Sequence, residues 1–228
     1  MKLQARVLSL DLDNTLWPIA PSIAAAEAEL GRWFDQHCPR INQQLGNTGI
    51  QQIRDQMSRQ HPQLAHDLGA LRRLTLNEAM RRCGYTTALA QAAWEIFYAA
   101  RLRVDLYPDA DDLLQRRPAA LQLAAVTNGN ADLRRMGLGH HFTTIISAHL
   151  VEARKPQPEI WRHLLQRTNC AAADIVHVGD HPEEDIEGAR QAGIQAVWLN
   201  REQQPWPLES PPPPTIQSLT PLIDAFHP

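Results

Sequence analysis

Cysteine is scarce. Cys38, Cys83 and Cys170 are odd in number, widely spaced and form no CxxC pair, which argues against a disulfide framework and against a structural zinc site. A reducing compartment fits this usage. Long apolar runs are missing too: nothing approaches the roughly 18 consecutive apolar residues of a membrane span. The N-terminal apolar run is broken by Asp11 and Asp13 before it could serve as the core of a signal peptide. The expectation is a cytoplasmic protein with no membrane partner. An excess of one charge is also lacking. The formal net charge is −3, from 22 basic and 25 acidic residues, so nothing draws a phosphate backbone by long-range attraction and no nucleic-acid partner is expected. Lysine is the most depleted type, with only Lys2 and Lys155 against 20 arginines.

What is present is a chain of 228 residues, 43% hydrophobic and 21% charged, able to bury a core and unlike a disordered polymer. At roughly 150 residues per domain, one core plus an insertion is the natural expectation. Five short, apolar segments read as buried strands: Ala5 to Leu10, Leu121 to Val126, Thr144 to Ser147, Asp174 to Val178 and Gln195 to Leu199. Helical stretches such as Pro156 to Thr168 and Pro182 to Ala192 lie between the later ones, so the fold class is α/β with a parallel sheet.

The interval 19–104 breaks this rhythm. Its apolar residues recur only at helical spacing: Ile23, Leu30, Trp33 and Phe34; Ile50, Ile53 and Met57; Leu68, Leu71 and Met80; Leu89, Ile96 and Phe97. Four antiparallel helices forming a small bundle are predicted, returning the chain to the sheet near Tyr107 and Pro108; helices that merely cover one sheet face are the alternative. Residues 1–18 and 105–228 would form the core. The tail crowds Pro205, Pro207 and Pro211 to Pro214 into a stretch expected to run extended over the surface to a last helix at about Ile216 to Ala225.

Three presumed strands end in residues suited to chemistry: Asp11, Thr127 and Gly179-Asp180. Ligands of open parallel sheets bind outside the carboxyl ends of the strands. Asp11 and Asp13, two residues apart in extended chain, point to one side. With Asp180 they make a set of hard oxygen donors suited to Mg²⁺ rather than zinc. Lys155 stands in RKPQPEIW just before a helix start, where a cation is disfavoured unless an anion compensates; a compact ammonium holding a phosphate oxygen and a carboxylate would explain it.

DLDNTL at 11–16, TNGN at 127–130, Lys155 in RKPQPEIW and GDHPEEDIEGAR at 179–190 resemble the four ordered motifs of the haloacid dehalogenase-like (HAD) superfamily. The resemblance implies a Rossmann-like core with a helical cap inserted after the first motif. It also implies an enzyme, a phosphoric monoester hydrolase in which Asp11 is the nucleophile and Asp13 the general acid and base. Mg²⁺ would be held by the Asp11 carboxylate, the Asp13 main-chain carbonyl and Asp180. Thr127 and the Asn128 backbone amide would hold phosphate oxygens, and Asp185 would orient Lys155 or a metal-bound water. The superfamily's dehalogenases lack an acid at the position of Asp13, so its presence favours a phosphatase; a phosphomutase shares the motifs. ALRRLTLNEAMRRCGY and AVTNGNADLRRMGLGHHF look most like bacterial phosphatases acting on flavin mononucleotide and a phosphorylated riboflavin precursor. The implied partner is a small phosphorylated metabolite, and the chain is expected to be a monomer or homodimer. A receiver-like domain switched by a phosphorylated aspartate is the rival from another class.

Further candidates are weaker. Trp17 could stack on a planar substrate or serve as a hinge or core residue. Arg72 and Arg73 could face the site and hold an anionic or polar substrate, although most such arginines are solvated. His181, next to Asp180, is not expected to be a ligand. Gly137-Leu138-Gly139 is too incomplete for a dinucleotide fingerprint, and His140-His141 fits a loop before the third strand.

Overall fold

Strand formation follows the apolar β-branched segments. In a computed structural model that describes residues 5–226, β1 (Val7–Leu10), β2 (Gln122–Thr127), β3 (Thr144–Ser147), β4 (Ile175–Gly179) and β5 (Gln195–Leu199) form a parallel sheet. A sixth strand, β6 (Thr215–Ile216), completes the order β3-β2-β1-β4-β5-β6. Successive strands run outward from β1 in one direction and from β4 in the other, so the order reverses where β1 and β4 lie side by side. The crevice outside their carboxyl ends is where such a sheet offers a ligand site.

The β6 strand corrects the expectation that the last helix begins at about Ile216, which lies instead in a strand paired with β5. Proline lacks a donor but keeps its carbonyl: Pro214 accepts from the Trp198 N–H at 2.9 Å, and Ile216 accepts from the Asn200 N–H at 2.8 Å. The last helix therefore starts later than expected, at Thr220–Ala225, with Pro221 in its first turn.

The chain divides into two units, Met1–Pro18 with Asp105–Pro228, and Ile19–Val104. In the sheet unit, Val7, Val126, Ile146, Ile175 and Ile186 pack with Trp161 and Leu164 of the helix Pro158–Thr168, each buried aliphatic side chain contributing roughly 1.5–3 kcal/mol. The segment 182–192 is not one regular α-helix. Pro182–Glu187 winds as a π-helical turn before a short α-helical stretch, Gly188–Gln191; such turns often mark functional sites. His140 and His141 lie in a short 3₁₀ turn ahead of β3.

The helical unit has five α-helices among the described residues rather than four: α1 (Ile19–His37), α2 (Pro39–Gln44), α3 (Gly46–Gln60), α4 (Leu68–Arg82) and α5 (Ala88–Arg101). The extra element is cut out by punctuation: Pro39 opens α2, and Gly46, at φ +55°, takes a left-handed conformation that separates it from α3. Leu30, Phe34, Ile53, Met57, Leu76, Met80, Trp94 and Phe97 form the unit's core. Leu68, expected on the apolar face, is instead 49% exposed, at the first position of α4 beyond its Asp67 cap. No helix of the described residues is long and apolar enough to cross a membrane.

Candidate active site

Asp11 follows directly on β1, and its backbone N–H continues the ladder by donating to the Val178 carbonyl at 2.9 Å. This fixes the side chain beside the end of β4. Lys155 Nζ reaches it from the loop before the helix Pro158–Thr168, donating to Asp11 Oδ1 at 2.5 Å and to Asp185 Oδ1 at 2.6 Å. Asp185 rises from the π-helical turn, which folds it back over β4, where a Cβ at Gly179 would overlap its carboxyl group. All three charged groups are buried.

Asp180 stands after β4, and one carboxylate oxygen each from Asp11, Asp180 and Asp185 lies within 4.8 Å of the others. One lysine faces three acids. Burial pushes the Asp11 carboxyl well above its ordinary range, and Asp185 and Asp180 push it further against the pull of Lys155. Burial and Asp185 raise Asp180 to about 6. Burial alone would also raise Asp185, but Lys155 and His177 outweigh it and hold this carboxyl low. Lys155 is raised because its two acids outweigh its desolvation. The surplus of negative charge, carried by hard oxygen donors, fits a divalent cation such as Mg²⁺. The close carboxylate group contains Asp185 where the sequence reading had Asp13; only the Asp13 main chain was expected to serve the metal.

Asp13 has a different setting. Residues 13–17 form a tight loop in which Asn14 adopts φ +60° and donates its N–H to the Trp17 carbonyl at 2.7 Å. The Trp17 indole N–H donates to Asp13 Oδ1 at 2.8 Å. Trp17 has no exposed surface, so it has no face to stack on a substrate and serves Asp13 instead. A Cβ at Gly129 would stand 2.6 Å from Asp13 Oδ2, so the absence of a side chain there lets the second motif lie against the first.

Thr127 is buried, and its Oγ1 accepts from the Gly129 N–H at 2.9 Å. Asn128 does more than its motif suggested. Its side chain clamps the backbone of Lys155, accepting from the N–H at 2.7 Å and donating to the carbonyl at 3.0 Å, and also donates to Glu184 at 2.8 Å. Glu184 in turn pairs with Arg154 at 2.6 Å. His181 is outside the close carboxylate group: its ring Nδ1 accepts from the Glu184 N–H, while its backbone N–H donates to Asp185 Oδ2. Arg72 and Arg73 are engaged inside the helical unit: Arg72 is buried, pairs with Glu27 at 2.8 Å and lies over Phe97, and Arg73 lies over Trp94.

Beside Asp180 a cavity of about 560 Å³ is lined by Asn14, Tyr107, Asn200 and Arg201 among others. Arg201 is not available to a ligand's charge; it forks onto Asp109, donates to the Thr15 carbonyl and stacks on Tyr107. Two buried residues escaped the sequence reading. His177 and Ser9 sit in register on β4 and β1 and are joined at 2.9 Å, and His177 Nε2 lies 3.1 Å from Asp185 Oδ1. Burial keeps His177 below the ordinary histidine range. The available signal was a polar residue in each of two adjacent apolar strands.

A family model described as haloacid dehalogenase-like hydrolase matches residues 5–193. A phosphoserine phosphatase of Thermus thermophilus is 31% identical, over 91% of this chain and 93% of its own. The 5-amino-6-(5-phospho-D-ribitylamino)uracil phosphatase YigB of Escherichia coli is 30% identical over 86% and 83%. A 2-haloacid dehalogenase from Pseudomonas syringae superposes with a TM-score of 0.91 at 34% identity, covering 97% of each chain.

Proposed function

Because the chain belongs to the haloacid dehalogenase-like hydrolases, with phosphatases among its curated relatives, we propose that it is a Mg²⁺-dependent phosphatase working through an aspartyl-phosphate. Asp11 attacks phosphorus, and the bond to the leaving oxygen breaks as Asp13 gives that oxygen a proton. Asp13 then takes a proton from water, which attacks the phosphoryl group and frees Asp11. Lys155, held between Asp11 and Asp185, stabilises charge on the transferring group, and Thr127 with the Asn128 backbone amide holds its oxygens. Asp11, Asp180 and the Asp13 carbonyl would hold Mg²⁺. When bound, the ion offsets the repulsion between a carboxylate nucleophile and a phosphate.

The observation that carries this reading is Asp13, a carboxylate two residues beyond the nucleophile and held by an indole N–H. A halide leaving group needs no proton, so a dehalogenase has no use for this acid, despite the close structural likeness to a protein of that description. The proposed substrate is a small phosphorylated metabolite; flavin mononucleotide or the phosphorylated ribitylaminouracil is favoured by the likeness to YigB, and phosphoserine by the other relative. The proposed setting is the cytoplasm, with no nucleic-acid or membrane partner, as a monomer or homodimer.

The test is phosphate release from flavin mononucleotide, phosphoserine and p-nitrophenyl phosphate, with and without Mg²⁺, alongside chloride release from 2-chloropropionate. Mg²⁺-dependent phosphate release that Asp11→Asn reduces at least about 10³-fold is expected. Chloride release without phosphate release would establish the dehalogenase. Isomerised sugar phosphate without free phosphate would establish a mutase, and stoichiometric labelling of Asp11 without turnover would establish the receiver-like reading.

A further inference from the structure

We propose that His177 is a positioning residue for the reaction: from inside the sheet it fixes the tautomer and hydrogen bonding that hold Asp185, and through Asp185 the amine of Lys155. The inference rests on the phosphatase reading, in which Lys155 acts on the transferring group.

The geometry puts a proton on Nε2. His177 has no exposed surface and lies between two partners, Ser9 Oγ at 2.9 Å from Nδ1 and Asp185 Oδ1 at 3.1 Å from Nε2. A carboxylate accepts only, so Nε2 must carry the proton. An unprotonated Nε2 would set a lone pair against a carboxylate oxygen in a dry site. In the neutral ring Nδ1 is then an acceptor, and the Ser9 hydroxyl donates to it. The carboxylate therefore selects the tautomer, as outer partners do for metal-bound histidines, and the hydroxyl satisfies the remaining ring nitrogen. Trp161 packs against the ring in a T-shaped pair, with centroids 4.8 Å apart at 80°.

Asp185 Oδ1 thus accepts from two sides, from Lys155 Nζ at 2.6 Å and from His177, while Oδ2 accepts from the His181 backbone N–H at 3.0 Å. Without His177 the carboxylate keeps its charge partner and the His181 N–H but loses one of the three hydrogen bonds that fix its orientation. The amine it shares with Asp11 loses its fixed position with it. The π-helical turn places Asp185 over the face of β4 that carries His177 and Gly179, so His177 is the side chain of β4 able to reach it from below.

Two measurements test this. The ring nitrogens of His177 in the wild-type protein are examined by ¹⁵N NMR, independently of activity: a proton on Nε2 is expected, and an unprotonated Nε2 overturns the inference. Turnover of p-nitrophenyl phosphate at saturating Mg²⁺ is then compared for wild type, His177→Leu and His177→Gln, whose amide keeps a donor toward Asp185. His177→Leu should lower kcat about 10- to 100-fold with KM changed less than about threefold, and His177→Gln should recover most of kcat. Equal kcat in wild type and His177→Leu, or a loss in both variants that tracks only their thermal stability, overturns the positioning role. Absence of turnover by the wild type would instead overturn the phosphatase reading, and the NMR result would still stand on its own.

Discussion

Asp11 and Asp13 are the same residue type two positions apart, yet their surroundings separate their tasks. Asp11 is bonded to a lysine and crowded by acids, whereas Asp13 receives a neutral N–H from Trp17. Trp17→Phe keeps the buried ring and removes that donor, so kcat for an aryl phosphate should fall about 5- to 50-fold as Asp13 loses its orientation, with thermal unfolding shifted by only a few degrees. An unchanged kcat would reduce Trp17 to packing. The motif residues were legible because polar groups stand out where an apolar strand stops. Ser9 and His177 were not, because a polar residue within a buried strand reads as an interruption until register shows the two facing each other. The Asn128–Glu184 tie spans 56 positions, and no local pattern encodes it.

Strands were legible as elements because buried parallel strands are continuous apolar runs. The extra helix and β6 were not legible because Pro39, Gly46 and the proline run each set a local backbone conformation that hydrophobic periodicity does not encode. Two glycines make the effect of local conformation measurable. Gly31 lies within α1, where an added Cβ would meet nothing within 4 Å, so Gly31→Ala should stabilise the protein by about 0.5–1 kcal/mol through helix propensity. Gly46 is equally unobstructed but sits at φ +55°, so Gly46→Ala should destabilise it by about 1 kcal/mol. Urea unfolding of both variants reads the opposite signs; a shared sign would mean that the α2–α3 junction is not held left-handed in solution. The π-helical turn was beyond any periodicity. The sequence there looks helical, and the widened turn carries Asp185 against Lys155 and His177.

For the molecule as a whole, the acids of the site set a pH dependence with a definite sign. A carboxyl raised to about 6 binds its proton more tightly folded than unfolded. Without a divalent cation, Asp180 therefore costs stability as pH rises from about 4 through about 6, and the raised Asp11 acts in the same direction. Asp185, held low, contributes the opposite way, with stability present above its unfolded range and lost only as pH falls below it. Mg²⁺ competes with protons for the raised acids, so the gain in Tm on adding Mg²⁺ should be larger at pH 7.5 than at pH 5. Equal gains would place the ion elsewhere. At the far side of the sheet, β6 has only two residues and is preceded by four consecutive prolines. A strand that short, approached by chain with no amide hydrogens, is a poor template for another molecule's backbone. The tail thus works as a terminator of the sheet, protecting β5 from the edge-to-edge growth that leads to aggregates.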